Sequence, residues 1–345
     1  MSCLHLHEAG WLTPYALHAC YAGLAESLSE DDTPWLISAR ADRGHIALGA
    51  SQYADAELNL AYCRMRRIPI VQRPLGGGTV WVDRRQLCLF FIFPRTSAPA
   101  SHAALFDLCL GLLKDAYARI GVEVERVGGQ DLWHAGRKLL GSGAATIGRS
   151  MVFGASILER FDAASFAACV DCPSRGFERW LGDCLSESVT DLEAAGMLPY
   201  EGAFEEALRA VCGSRWAVTT QRPEAHRLAA MSAAELALRE PLEMGGRRLV
   251  RGGIKIKRGT YLLEDTTGPW LRLLWRDGRL VRAASGDKDF DAVLQACLAC
   301  PLDDGIIYEQ GRLHGLSLES ARTLAQRVEA LCAGLEPQEC ASRTA

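Results

Sequence analysis

The apolar positions of this chain change period several times, and each change marks an element. Leu17, Cys20, Tyr21, Leu24 and Leu28 recur at helical spacing, which predicts a helix over Tyr15–Leu28. Trp35-Leu-Ile-Ser-Ala39 and His45-Ile-Ala-Leu-Gly49 are short apolar runs on either side of a charged turn, and they read as two joined strands. A second helical pattern covers Ala54–Arg66. Ile68–Val71 and Thr79–Val82 read as strands. Leu87–Phe93 is apolar almost throughout, as a central strand with both faces covered would be. Ser101–Ile120 predicts a long amphipathic helix and Val122–Val127 a strand.

A compact β segment is expected next. It comprises Asp131–His134, a turn at Ala135-Gly136, Lys138–Leu140, a small-residue stretch over Gly141–Ile147, and Met151–Leu158. The chain then reads as helical to about Arg215, with a connecting segment near 216–246. From Arg247 the pattern becomes short strands between Gly or Asp turns: Leu249–Lys257, Thr260–Leu263, Trp270–Trp275 and Arg279–Ala284. Helices over Phe290–Leu298 and Leu318–Leu335 close the chain. The fold class expected is α+β, a mixed β-sheet flanked by helices. Residues 1–245 form a catalytic-sized domain, and 246–345 a small accessory α+β domain.

Composition narrows the function classes. With 345 residues, 49% hydrophobic and 23% charged, the chain is globular. Its net charge of −4 gives no sign of a bulk nucleic-acid binder. No apolar run approaches the roughly 20 residues that span a bilayer. The start, MSCLHLHEAGW, has no basic segment followed by a long apolar core. The 13 cysteines are odd in number and irregularly spaced, which points to a reducing compartment and predicts a cytoplasmic protein. Two CxxC pairs, Cys169/Cys172 and Cys297/Cys300, have the ligand type for zinc but lie far apart in sequence. Buried thiols explain them as well.

The most informative stretch is QRPLGGGTVWVD, Gln72–Asp83. Three glycines at the entry to a strand cost conformational entropy. A ligand lying against the backbone, where any Cβ would collide, offsets that cost; a bulge or tight bend is the alternative. No Lys-Ser/Thr follows and no helix opens, so this is not a Walker loop. A strand follows in place of the Rossmann spacing.

Downstream, Gly136-Arg-Lys-Leu-Leu-Gly-Ser-Gly-Ala-Ala145 sets Lys138 beside small residues. A lysine there can aim a compact positive charge at a carboxylate or phosphate close to the backbone, or it can be a solvated turn residue. Gln130 and Asp131 open the same hairpin, and their oxygens suit Mg²⁺ on a nucleotide phosphate or, equally, an Asx turn. Arg73, beside the glycines, can anchor a phosphate or cap a pocket.

Taken in order, these motifs are Gly49-Ala-Ser-Gln52, Arg73-Pro-x-Gly-Gly-Gly-x-Val-x-x-Asp83, Gln130-Asp-Leu132 and Gly136-Arg-Lys-x-x-Gly-Ser-Gly-Ala144. They resemble the lipoate–protein ligase and octanoyltransferase group, which shares its fold with biotin–protein ligases. The resemblance covers about residues 10 to 240. It implies an acyl chain held against the glycine wall, with Arg73, Gly76, Gly77 and Gly78 lining the lipoyl and adenylate pocket. Lys138 would contact the acyl carbonyl and α-phosphate, and Gln130 and Asp131 would stand at the metal-binding pair. Gln52 would lie at the pocket mouth, and Asp83, Gly141, Ser142 and Ala144 would complete the cofactor-binding set. The cofactors implied are ATP, Mg²⁺ and lipoate. The partner implied is an apo lipoyl-carrier protein, a lipoyl domain or an H-protein-like acceptor. Nothing in the sequence indicates an oligomer, and a monomer is the default expectation.

The chain departs from the family pattern at Gln72, where an arginine is frequent, at Arg84-Arg-Gln86 in place of Leu-Gly-Asn, and at Phe153-Gly154 in place of His-Gly. The resemblance implies an ATP-dependent ligase that forms an acyl-adenylate from lipoate or octanoate. Two alternatives are an ATP-independent octanoyl or lipoyl transferase working through a Cys172 thioester, and a non-catalytic subunit that binds a lipoylated partner. Asp171 would raise the Cys172 thiol pKa, which disfavours the thioester. The basic run Lys255, Lys257 and Arg258 would suit an acidic acceptor or a solvated strand face.

Overall fold

The computed structural model describes residues 2–246, 250, 252–257, 259–300, 304–333 and 335. In chain order the elements are β1 (Cys3–Leu12), α1 (Pro14–Ser27), β2 (Trp35–Ala41), β3 (His45–Leu48), α2 (Ala54–Glu57), α3 (Leu60–Met65), β4 (Ile70–Gln72), β5 (Val80–Val82) and β6 (Gln86–Pro94). There follow α4 (His102–Arg119), β7 (Glu125–Val127), β8 (Asp131–His134), β9 (Arg137–Ile147), β10 (Ser150–Leu158), α5 (Ala163–Cys169), α6 (Arg175–Ser188) and α7 (Ala203–Gly213). The last are β11 (Ala217–Thr220), α8 (Ala225–Leu238), β12 (Gly253–Lys257), β13 (Thr260–Asp265), β14 (Leu271–Arg276), β15 (Arg279–Ser285), α9 (Lys288–Ala296), α10 (Asp304–Leu313) and α11 (Leu318–Cys332).

The chain divides into two units, one of residues 1–169 and 182–246, the other of 170–181 with the residues from 247 onward. The first unit is built on an eight-stranded mixed sheet, order β11-β1-β2-β6-β10-β9-β8-β7. Every residue of β6 is buried because helices cover both of its faces. On one face Leu89, Phe91 and Phe93 pack with Leu105, Cys109, Leu113 and Tyr117 of α4 and with α7. On the other, Phe90 and Ile92 meet Leu17, Tyr21 and Leu24 of α1, with Met231 and Ala234 of α8 against them. A separate three-stranded sheet, β4-β3-β5, carries the glycine motif on its β4–β5 connection.

The second unit sets the antiparallel sheet β12-β13-β14-β15 against α9, α10 and α11. Glu264 and Arg272 face each other in its register and form a 2.8 Å ion pair, to which Ser174 Oγ adds a 2.9 Å hydrogen bond. The α10 helix is an element the sequence pattern does not announce. Leu249 and Arg258, in the strand and basic run expected there, lie outside the described residues, as does the Lys257 side chain.

Several expectations are corrected. Strand β1 is not anticipated, although Leu4 and Leu6 are buried between His5 and His7; that short alternation is the period of two expected of a half-buried strand. Strands β2 and β3 do not form a hairpin: β2 pairs with β1 and β6, β3 with β4 and β5. The helix over Ala54–Arg66 is two helices, because Asn59 Oδ1 accepts from Tyr62 N–H at 3.0 Å and starts the second. The segment 216–246 is no connector. Its β11 runs parallel to β1, and α8 packs so closely on α1 that a Cβ on Gly23 would lie 2.5 Å from the Ala230 carbonyl oxygen.

Candidate functional site

The β8–β9 hairpin places the lysine. Ala135 and Gly136 both adopt left-handed φ, +47° and +74°, as a two-residue turn matching the strand twist requires. The register then slips. Trp133 faces Lys138 but Leu132 faces Leu140, so Leu139 is an inserted residue. This bulge lets the Lys138 stem lie across Gly141, where a Cβ would stand 3.0 Å from Lys138 Cε and 3.1 Å from Nζ. The ammonium reaches Asp131 Oδ1 at 2.8 Å, with the two side chains 35% and 20% exposed.

The glycine segment crosses the end of β3 from β4 to β5, and buried Arg73 organises it. Arg73 Nη1 donates to the Ala47 carbonyl at 2.7 Å, and Nη2 donates to those of Gly78 at 2.8 Å and Gly76 at 3.2 Å. Burial lowers the guanidinium pKa from its ordinary value, opposed by the nearby Tyr21. No carboxylate among the described residues pairs with it; peptide dipoles carry the charge. Because a peptide is planar and trans, turning the Gly76 carbonyl toward Arg73 turns the Gly77 N–H away from it. No described residue accepts from the N–H of Gly77 or Gly78. Gly77 has φ +100°, Gly78 has open space where a Cβ would be, and both are exposed. Two free amides on an exposed, glycine-lined bend form a ready anion cradle.

The cradle is fastened to the sheet beside Lys138. Gly76 N–H donates to the Ala144 carbonyl at 3.4 Å, and a Cβ on Gly143 would stand 2.8 Å from the Gly76 carbonyl oxygen. Gly141 and Gly143 share one face of β9, about 7 Å apart along the strand. One accommodates the lysine stem and the other the glycine loop, so β9 brings Lys138 and Gly76–Gly78 together.

The other expected residues mostly shape this site. Gln52 Oε1 accepts from Gly49 N–H at 3.0 Å and from Thr79 Oγ1 at 3.1 Å, joining the turn after β3 to the glycine loop. Gln72 Nε2 donates to the carbonyls of Gln52 (2.9 Å) and Ala50 (3.2 Å). Ser142 Oγ donates to the Gln130 carbonyl at 2.5 Å. Asp83 is turned to its own hairpin: its oxygens accept from Trp81 Nε1 and Arg85 N–H, both at 2.8 Å.

The structure adds Thr79, Gly49, Gly143 and Gly154. A Cβ on Gly49 would meet the Gly77 carbonyl oxygen at 2.0 Å, and one on Gly154 would meet Leu75 Cδ1 at 2.6 Å. All four stand within stretches quoted from the sequence, but only the fold shows what presses on them. A cleft lined by Trp11, Arg40, Glu205 and Arg209 lies on the opposite face of the sheet, and its Arg40 is already paired with Glu159 at 2.7 Å and Glu205 at 3.6 Å.

Among the described residues no group of three or more His, Cys, Asp or Glu side chains is arranged to hold a metal ion. Magnesium keeps several waters and takes much of its coordination from substrate phosphates, so one or two protein oxygens suffice. The Asp131 carboxylate with the exposed Gln130 amide fits that requirement.

Residues 15–209 match the family model described as the lipoyl protein ligase A/B catalytic domain. The chain belongs to this family. The span matched by the lipoyl protein ligase A/B model contains every site residue from Gln52 to Ala144. Solved structures agree in fold. The bipartite lipoate protein ligase of Thermoplasma acidophilum, studied with its E2 lipoyl domain, is 17% identical with a TM-score of 0.62, covering 68% of this chain and 92% of that one. A lipoate-protein ligase A bound with ATP is 17% identical with a TM-score of 0.57, covering 68% and 94%. P. falciparum LipL1 in complex with lipoate is 13% identical with a TM-score of 0.54, covering 94% and 100%. Against curated proteins the chain finds no significant match. Among the described residues no helix is long and apolar enough to cross a membrane.

Proposed function

We propose that this protein is an ATP-dependent lipoate–protein ligase, acting on lipoate or octanoate and on a lysine of a lipoyl-carrier protein. The observation that carries the reading is the placement of Lys138 and the open amides of Gly77 and Gly78 around one strand, β9. A carboxylate is a poor acyl donor. In this reading its oxygen attacks the α-phosphorus of ATP, pyrophosphate leaves, and an acyl-adenylate forms. The acceptor lysine then attacks the acyl carbonyl, and AMP leaves. Both steps concentrate negative charge on oxygens, which a fixed ammonium and preorganised N–H donors stabilise.

The ammonium of Lys138 would exchange Asp131 for the α-phosphate and acyl carbonyl. Released, Asp131 with Gln130 would hold Mg²⁺, which supplies charge neutralisation on the phosphates when bound. Arg73 keeps the loop amides aimed outward, and Gln52 and Thr79 hold the loop's outer end. No cysteine lies on β8, β9 or the glycine loop. That supports activation by adenylation over a thioester. We assign the chemistry to residues 1–245 and an accessory role to 246–345, acting as a monomer in the cytoplasm.

The test is to incubate the protein with lipoate, ATP, Mg²⁺ and an apo lipoyl domain and to weigh the domain by mass spectrometry. A lipoyl mass gain that requires ATP is expected. A gain only from an octanoyl carrier protein, without ATP, would overturn the ligase reading in favour of transfer.

A further inference from the structure

The end of α3 carries a basic knuckle that the chemistry does not use. Arg64 lies in the helix, Arg66 is its C-cap, and Arg67 follows with φ +54°. Ile68 N–H donates to the Cys63 carbonyl at 2.9 Å and Arg67 N–H to that of Arg64 at 3.1 Å. This is the Schellman pattern, whose left-handed position is usually glycine. An arginine there pays a steric cost that glycine would avoid.

All three arginines are exposed, and Met65 between them is 71% exposed. Among the described residues none of the three side chains forms an ion pair or hydrogen bond. A six-residue helix needs at most one cation to complement its C-terminal end, and the chain as a whole carries −4. Three unpaired guanidiniums around an exposed methionine, one held in an unfavourable backbone conformation, have the composition of an interface centre.

We propose that Arg64, Arg66 and Arg67 form the docking surface for an acidic face of the acyl-accepting carrier domain. This rests on the functional reading above. The occupant follows from charge: three exposed guanidiniums that no carboxylate among the described residues neutralises attract an anionic protein surface. Its position also suits an acceptor. Gln72, which enters the glycine loop, is five positions after Arg67, so the knuckle lies at most about 17 Å from that end of the site. A small domain seated there can extend a lysine into the pocket while its body stays outside. A single exposed apolar residue offers too little buried area for a membrane-surface site.

The experiment measures binding of a fluorescently labelled, acidic apo lipoyl domain to the full chain by anisotropy, at low and high salt. Wild type binds with a dissociation constant that rises with salt. The combined Arg64→Ser, Arg66→Ser, Arg67→Gly variant weakens binding about tenfold or more and flattens the salt dependence. Arg67→Gly alone weakens binding without lowering the melting temperature, since glycine relieves the backbone. A variant with lysine at all three positions retains most of the affinity. Unchanged affinity in the combined variant, no binding by wild type, or preferential binding of phosphatidylserine vesicles that displace the domain would each overturn the docking surface. Arginine-dependent binding without acyl transfer would support docking and count against the ligase chemistry alone.

Discussion

Lys138 and Asp131 hold each other at 2.8 Å across the β8–β9 hairpin. The pair keeps the ammonium in place over Gly141 yet leaves it available to a stronger anion, because both groups remain partly exposed. Lys138→Ala is therefore expected to slow acyl transfer by about 10²–10³-fold, the range for removing one preorganised charge-stabilising donor. An exposed pair contributes under about 1 kcal/mol to folding, so the melting temperature should barely move. Single-turnover acylation of an apo lipoyl domain beside a thermal melt checks both. Wild-type turnover in Lys138→Ala would remove this residue from the chemistry.

Arg73 acts one step further back. Its planar fork reaches three carbonyls at once, which the point charge of a lysine does not. Arg73→Lys should lose at least one of these bonds, destabilise the first unit by about 1–3 kcal/mol, and raise the KM for lipoate more than it lowers kcat. Urea titration and steady-state kinetics measure the two effects. A variant equally stable, with unchanged KM, would show that the loop holds its shape without the guanidinium.

The parts of the fold legible in the sequence were those whose pattern reports local burial. The wholly apolar run at Leu87–Phe93 announced a central strand, and Leu17, Tyr21 and Leu24 announced α1. The site's residue types were legible for the same reason: consecutive glycines and a lysine among small residues are rare enough to stand out. What the glycines do was only half legible. Gly78 faces open space as expected for a ligand wall, but Gly49, Gly143 and Gly154 are needed because other parts of the chain press on them. Strand β11 and helix α8 escaped because their partners, β1 and α1, lie some 200 residues earlier; no local pattern encodes a pairing at that distance.

A buried histidine pair gives the first unit an acid sensitivity. His18 Nε2 and His45 Nε2 are 3.1 Å apart, His18 Nδ1 is 3.4 Å from Tyr21 Oη, and His45 Nδ1 is 3.4 Å from the Arg43 carbonyl. One assignment fits: Tyr21 donates to His18, His18 to His45, and His45 to Arg43, with both rings neutral. Burial pushes the His45 pKa down to about 4, and burial with the neighbouring His45 and Arg73 pushes His18 well below its usual value. Between pH 6.5 and 4 the unfolded chain therefore binds more protons than the folded one, and stability falls as pH falls through that window. His45 alone contributes a loss on the order of 3 kcal/mol by pH 4. Urea midpoints across this range should drop steeply in wild type and less in His45→Gln; parallel curves would exclude the pair as the cause.

Two glycine substitutions separate ligand contact from chain packing. At Gly49 a Cβ would meet the Gly77 carbonyl oxygen at 2.0 Å, and both atoms belong to backbone that cannot rotate away. Gly49→Ala should cost about 2 kcal/mol or more by forcing the loop off its seat. At Gly78 no atom lies within 4 Å of the added methyl, and the backbone is not left-handed. Gly78→Ala should leave stability within about 0.5 kcal/mol of wild type. The methyl would instead project into the space assigned to the acyl-adenylate, so affinity for a non-hydrolysable adenylate analogue should fall about tenfold, the cost of one well-placed steric clash. Calorimetric titration of both variants, each with a thermal melt, decides the matter: a Gly78→Ala protein that binds the analogue as wild type does would mean that the ligand runs elsewhere, and that the third glycine serves only the bend.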